Sequence, residues 1–316
     1  MFSTFSQDIR HALRTLCQQP GFLTVAVLTL ALGIGANTAV FSVIHAAMIK
    51  PLPYAEPGQL VRVWETTPEG GRFSASDANY LDFAARNRSF AEFAAARDVS
   101  YTLLAAGDPL RVDGLAVTGN FFRTLGVTPR LGAGFPDGAQ DEGDSAYVVL
   151  GHALWQQQFG GDPGIIGQEV LLEGRSHRVV GVMDADFEFV GAGFWVPLQP
   201  DASADRGDHW LAMIGRLRDG VSLEQARQDL SVIATALGAE YSTNAGWGVD
   251  LLGFDRWLVR DNVRHTLQLL FAAVGALLLM ACVNLANLLF NVGKRDEGLA
   301  LRRLLDLGLH DSFRLH

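Results

Sequence analysis

Lysine is the scarcest chemistry-bearing residue in this chain: only Lys50 and Lys294 occur among 316 residues. A nucleotide-binding loop of the Gly-Lys-Ser/Thr type needs its lysine to reach the terminal phosphates. Lys50 is followed by Pro51 and Lys294 by Arg295, so the chain has no such loop and is no Walker-type ATPase by itself. Eight histidines occur, with no His-Glu-x-x-His motif and no His/Cys cluster at metal-ligand spacing. His152, His177 and His209 lie 25 and 32 residues apart and read as surface or structural side chains. Asp184, Asp186 and Glu188 alternate in DADFEF. Carboxylates so spaced could do acid–base work or hold a cation, but nothing around them completes a site, and a solvated loop is the better reading. No Gly-x-Ser-x-Gly elbow appears. The expectation is a protein that is not an enzyme, with no catalytic or metal residues and no cofactor bound by the chain.

The elements that frame these residues are two uncharged stretches. Phe22–Ile49 and Thr266–Gly293 contain no Asp, Glu, Lys or Arg. A helix rises about 1.5 Å per residue, so about 20 residues cross a bilayer core, and both windows exceed that. The first is too long for the apolar region of a signal peptide and ends in no clear cleavage site. Between Pro51 and Arg264 lie 17 arginines and 29 carboxylates, so most of the net charge of -9 and more sits there. An acidic body of that kind argues against a nucleic-acid partner, whose phosphates demand a basic surface. Both cysteines, Cys17 and Cys282, lie outside it, so it holds no internal disulfide. Basic residues near the stretches weakly favour both termini inside the cell and the acidic domain outside.

The fold class expected is therefore a membrane protein: two transmembrane α-helices flanking an α+β domain in two lobes. Residues 1–21 read as a short amphipathic segment at the membrane surface, or equally a helix packed on a partner. Residues 22–49 form the first span, 50–265 the external domain, 266–293 the second span and 294–316 a tail. Ala31, Gly35 and Ala39, four apart, would let another helix approach the first span closely. Asn284, Asn287 and Asn291 share one face of the second, where unpaired amides are costly in lipid. Packing on neighbouring helices is the favoured use of that face, and a polar conduit lining is the other. Membrane lipid, other membrane helices or a second protomer are the partners this predicts.

Within the domain, QLVRVWE alternates as a half-buried strand. Helices are expected over Ser76–Arg86, Ser89–Ala96, Asn120–Leu125, His152–Phe159 and Ser222–Leu237, the last opened by a Ser222/Gln225 capping box. Strand pairs are expected over Val99–Ala105 with Leu110–Thr118, and over Glu169–Leu172 with His177–Met183. Ala146–Leu150, Trp210–Leu217 and Val249–Leu252 add further strands, while Gly132–Gly143 and Pro197–Asp208 read as loops.

ALGIGANTAVFSVI followed by PLPY and QLVRV resembles the start of MacB-type permeases of ABC transporters. VVLGHALWQQQFGGDPGIIGQEVLLEGRSHRVVGVM, WVPL and IGRLRDGVSLEQARQDL resemble that family's periplasmic core domain, and ACVNLANLL with EGLALRRLL is similar to the FtsX-like permease module. The resemblance implies a multi-pass protein of the bacterial inner membrane with both termini cytoplasmic and residues 50–265 periplasmic. It implies a separate ABC ATPase subunit that hydrolyses ATP, whose motion is relayed mechanically to the periplasmic domain, with a periplasmic adaptor as a further partner. Glu297, Leu299, Ala300, Arg302 and Arg303 fall in the stretch expected to touch the ATPase. Family members continue into further membrane helices, whereas DLGLHDSFRLH does not resemble that continuation, so a truncated permease is expected. The alternatives are a membrane-anchored periplasmic binding or scaffold module without ATPase coupling, and a non-functional truncated permease.

Overall fold

A computed structural model describes residues 20–44, 54–104, 108–136, 146–258, 269–280, 282–283 and 286. The chain divides into two compact units, Pro51–Leu258 and the two flanks taken together, Met1–Lys50 with Val259–His316.

In the flanking unit, α1 (Pro20–Ile44) is a 25-residue helix without acidic or basic residues in its end turns, and residues 269–280 are also helical. The two helices touch through Gly33 and Asn37. A Cβ on Gly33 would lie 2.9 Å from Leu278 Cδ1, so glycine gives the Leu278 side chain room at this crossing. The Asn37 amide donates to Gly33 O at 2.9 Å within its own helix and to Val274 O at 3.4 Å across the pair. Apolar side chains point the other way: Leu32 is 76% exposed, Leu269 72% and Leu279 69%. Taken over the described residues, no helix is long and apolar enough to cross a membrane, and the two expected spans stay a proposal.

The domain Pro51–Leu258 is built on one mixed sheet. Its strands, among the described residues, are β1 (Leu60–Thr66), β2 (Arg72–Phe73), β3 (Phe90–Leu104), β4 (Leu110–Val117), β5 (Leu131–Gly132), β6 (Ala146–Leu150), β7 (Glu169–Leu172), β8 (Arg175–Val182), β9 (Phe194–Pro197), β10 (Ala212–Leu217) and β11 (Gly248–Gly253). They run in the order β11-β1-β10-β3-β4-β9-β6-β8-β5, with β2 beside β1 and β7 joining β3 to β8. The pairs β4–β9 and β6–β8 are parallel and the others antiparallel. The helices are α2 (Asp77–Arg86), α3 (Phe121–Leu125), α4 (His152–Phe159), α5 (Leu223–Glu240) and α6 (Phe254–Leu258).

Successive strand residues point to opposite faces, and the sheet accordingly carries two cores. Ala95, Val148 and Leu150 belong to one, Ala94, Ala96 and Val149 to the other. The first core is covered by α2, α4 and α5, the last presenting Ala226, Leu230, Ile233, Ala234 and Leu237 at helical spacing. Among the described residues no long helix covers the second. Short α3, the α6 turn and the loop before β9 close it with aromatic rings.

Two expectations are corrected here. The two lobes are instead two faces of one sheet within one unit. Ser89–Ala96, expected to be helical, is instead the start of the 15-residue strand β3 from Phe90 on, which pairs with β10 through Phe90–Ala96 and with β4 through Ala96–Leu103. The run FAEFAAA has good helix formers, but over Phe93–Ala96 both its faces are buried in the middle of a sheet. A short apolar run of that kind has no period that separates strand from helix.

Candidate functional site

The chain enters the domain at Pro51 and leaves it at Leu258. The residues just inside these two points meet. Tyr54 packs edge-on against Phe254 of α6 with ring centroids 5.6 Å apart, and against Phe187 at 6.1 Å. Its hydroxyl donates to Glu188 O at 3.0 Å, and burial pushes its pKa far up. Phe189 stacks on Phe254 at 6.2 Å and lies 6.0 Å from Trp257 and 5.2 Å from Phe121. Phe187 continues the cluster to Trp195 at 5.4 Å, and Phe122 adds a contact to Trp195 at 5.8 Å. Edge-to-face and offset ring pairs add about 0.5–1.5 kcal/mol each beyond area burial, so the entering and leaving chain segments are fastened to each other and to the sheet.

The DADFEF motif supplies the plug. Phe187 and Phe189 point into the core, while Asp184, Asp186 and Glu188 are exposed. Ala185 is exposed as well, so burial alternates only over Asp186–Phe189, and the buried residues there are aromatic. The loop turns back at Val190 (φ 52°) and Gly191 (φ 72°).

Arg62 of β1 sits beneath α6. It is 5% exposed; its Nη1 donates to Val63 O and Met213 O, each at 2.7 Å. The guanidinium lies 4.9 Å from the Trp64 ring and 5.7 Å from the Trp257 ring. Burial pulls its pKa down to about 10, with Asp98 acting weakly the other way. Arg216 of β10 lies on the same face; its Nε donates to Thr124 O at 2.8 Å, which ties α3 to the sheet.

Among the described residues no group of three His, Cys, Asp or Glu could hold a metal ion. His152 lies 5.4 Å from the Trp155 ring. His177 is buried in β8 with Nδ1 3.0 Å from Arg175 O, and burial lowers its pKa. His209 lies on the loop before β10 against Glu65. The three histidines are not brought together. Ala31, Gly35 and Ala39 are all exposed and face away from the Gly33–Asn37 contact, so they do not join the two described helices. Asn284, Asn287, Asn291, Glu297, Leu299, Ala300, Arg302 and Arg303 lie outside the described residues, as does the amphipathic segment over residues 1–19.

Tyr54, Phe254 and Trp257 were not singled out by the sequence reading. A signal for them existed: Tyr54 in PLPY and the FDRW of 254–257 place large rings just inboard of both uncharged stretches.

A domain assigned to a permease protein from Porphyromonas gingivalis shares the fold at a TM-score of 0.51, with 15% identity over 64% of this chain and 93% of that one. The periplasmic region of MacB from Actinobacillus actinomycetemcomitans aligns at 0.47, with 14% identity over 66% and 92%. The extracellular domain of the noncanonic ABC-type transporter YknZ from Gram-positive bacteria aligns at 0.45, with 12% identity over 60% and 99%. No curated protein matches the chain. Residues 23–233, well over half of the sequence, match the MacB-like periplasmic core domain. The sheet, its two cores and that match together place the chain in the MacB-like periplasmic core domain family, as part of an ABC-transporter permease.

Proposed function

We propose that the chain is a permease subunit of a MacB/FtsX-like ABC system that relays ATP-driven motion of a partner ATPase to its periplasmic domain. The observation that carries the relay is the meeting of Tyr54 with Phe254: a displacement of either flanking helix enters the domain through one aromatic cluster. The flanking helices support a bilayer setting. Their apolar side chains face outward and the Asn37 amide faces the partner helix, an inside-out arrangement that suits lipid better than water. On this reading residues 22–49 and 266–293 span the inner membrane, both termini are cytoplasmic, and 50–265 is periplasmic. Ala31, Gly35 and Ala39 are left to pack on other permease helices or on a second protomer, together with Asn284, Asn287 and Asn291. A periplasmic adaptor is a further partner of the domain.

Glu297, Leu299, Ala300, Arg302 and Arg303 form the ATPase contact in this proposal. The test is co-purification of the chain with an ABC ATPase co-expressed in the same cells. Arg302→Ala with Arg303→Ala should lower recovered ATPase about tenfold, the size of a lost pair of charged contacts, with the chain itself recovered as before. Unchanged recovery would remove the coupling and favour the anchored scaffold instead.

A further inference from the structure

The end of β1 away from Tyr54 carries a second constellation, which the relay does not use. Glu65 is 1% exposed, yet it is a carboxylate. Its Oε1 accepts from the Asn79 amide at 2.7 Å. Its Oε2 has no aligned hydrogen bond among the described residues; the group nearest in charge is His209 Nδ1 at 3.2 Å. His209 is stacked on Trp247 at 4.4 Å with the rings 7° from parallel, and Phe73 stands edge-on at 6.1 Å. Its Nδ1 is also 2.9 Å from Ser74 O.

His209 belongs to the long connection between β9 and β10, and that connection is pinned on α2 at several points. Asp77 accepts from Asp201 N at 3.0 Å and from Trp210 Nε1 at 2.7 Å. Arg206 donates to Asn79 Oδ1 at 2.6 Å and to Asp82 Oδ2 at 2.7 Å. Asn79 thus bridges Arg206 to Glu65, and one network runs from the first strand through α2 to both ends of the loop. The charged groups around the His209 ring are Glu65 from β1 and Asp208 on its own loop; Arg206 and Asp82 reach it only through Asn79.

We propose that Glu65 and His209 form a proton-operated latch that holds the loop over residues 198–211 on α2 and β1 when His209 is charged and loosens it when the imidazole is neutral. A buried carboxylate needs a charge or several donors to offset its lost hydration. Protonated His209 supplies that charge to Oε2. The neutral ring keeps its Nδ1–H but leaves Glu65 facing an uncharged group. The Glu65 carboxylate 3.2 Å away raises the His209 pKa above its ordinary 6.5, outweighing burial. The sign follows: the latch is fully closed below about pH 6.5 and is lost as pH rises through the higher folded value. His177 runs the other way, since burial lowers its pKa, so a global stability curve mixes the two. A local readout is required.

The measurement is hydrogen exchange of the full chain in detergent, corrected for the hydroxide dependence of intrinsic exchange, at about pH 5.5 and about pH 8.5. Amides over 198–211 should lose protection about tenfold at the higher pH, the scale of one charge-assisted contact, while peptides of α5 stay unchanged. His209→Gln should give a flat loop profile. A flat wild-type profile, or the same slope in His209→Gln, would overturn the latch. Should the variant fold poorly, titration of the wild-type His209 C2 proton decides: a midpoint above 6.5 that drops in Glu65→Gln supports the latch, and a midpoint at or below 6.5 overturns it.

Discussion

Arg62 makes no ion pair among the described residues, although it is almost wholly buried. Its charge is met by two backbone carbonyls and two indole faces. Carbonyl bonds to a charged donor and cation–π contacts each return about 1–3 kcal/mol, against a desolvation cost of several. The depressed pKa records that this exchange does not fully balance. Packing of the long stem is then the larger part of what the residue contributes. Arg62→Ala should therefore cost about 2–4 kcal/mol through the cavity it leaves, whereas Arg62→Met should cost under about 1.5 kcal/mol. Urea unfolding in mild detergent, followed by tryptophan emission, separates the two. Equal losses would mean that the charge, not the stem, matters. The sequence showed the alternation of QLVRVWE but could not show that the Arg62 face is covered, because its lid is Trp257, far along the chain.

At the level of elements, local chemistry was legible and long-range pairing was not. The α5 helix starts where Ser222 and Gln225 said it would, with both halves of the capping box formed. The strand pairs at Glu169–Leu172 and within β3–β4 were readable from turn residues and alternation. The first half of β3 was not, since its pairing with β10 decides its conformation. Nor was the guarding of the sheet edge. Among the described residues β11 pairs only with β1, and an open strand edge invites association with other chains. Arg227 of α5 reaches over this edge, donating to Leu251 O at 3.2 Å and standing 3.6 Å from Asp250 Oδ1. Arg227→Ala should free the Leu251 carbonyl and promote self-association with a stability change below about 1 kcal/mol. Light scattering over a concentration series checks this; an unchanged mass would show that the edge is protected by other means.

Over the whole chain, the sequence reads as an acidic body between two uncharged stretches, and the family match over residues 23–233 supports the body's identity. The way force could pass between them was hidden, because Tyr54 and Phe254 are 200 residues apart and only the folded sheet brings β1 beside β11. The proposed relay makes a demand on that contact beyond stability. Phe254 is fully buried, so Phe254→Leu keeps an apolar filler while removing the edge-on contact to Tyr54 and the stacking with Phe189. The expected cost is about 1–1.5 kcal/mol, small enough to leave the domain folded. A rigid connection transmits displacement only where packing has no slack. In a complex with the ATPase, the wild-type chain should show an ATP-dependent change in hydrogen exchange over residues 54–66. Phe254→Leu should blunt that change while ATP hydrolysis continues at its former rate. If the change persists at full size in the variant, the aromatic cluster is a static anchor and motion enters the domain by another route.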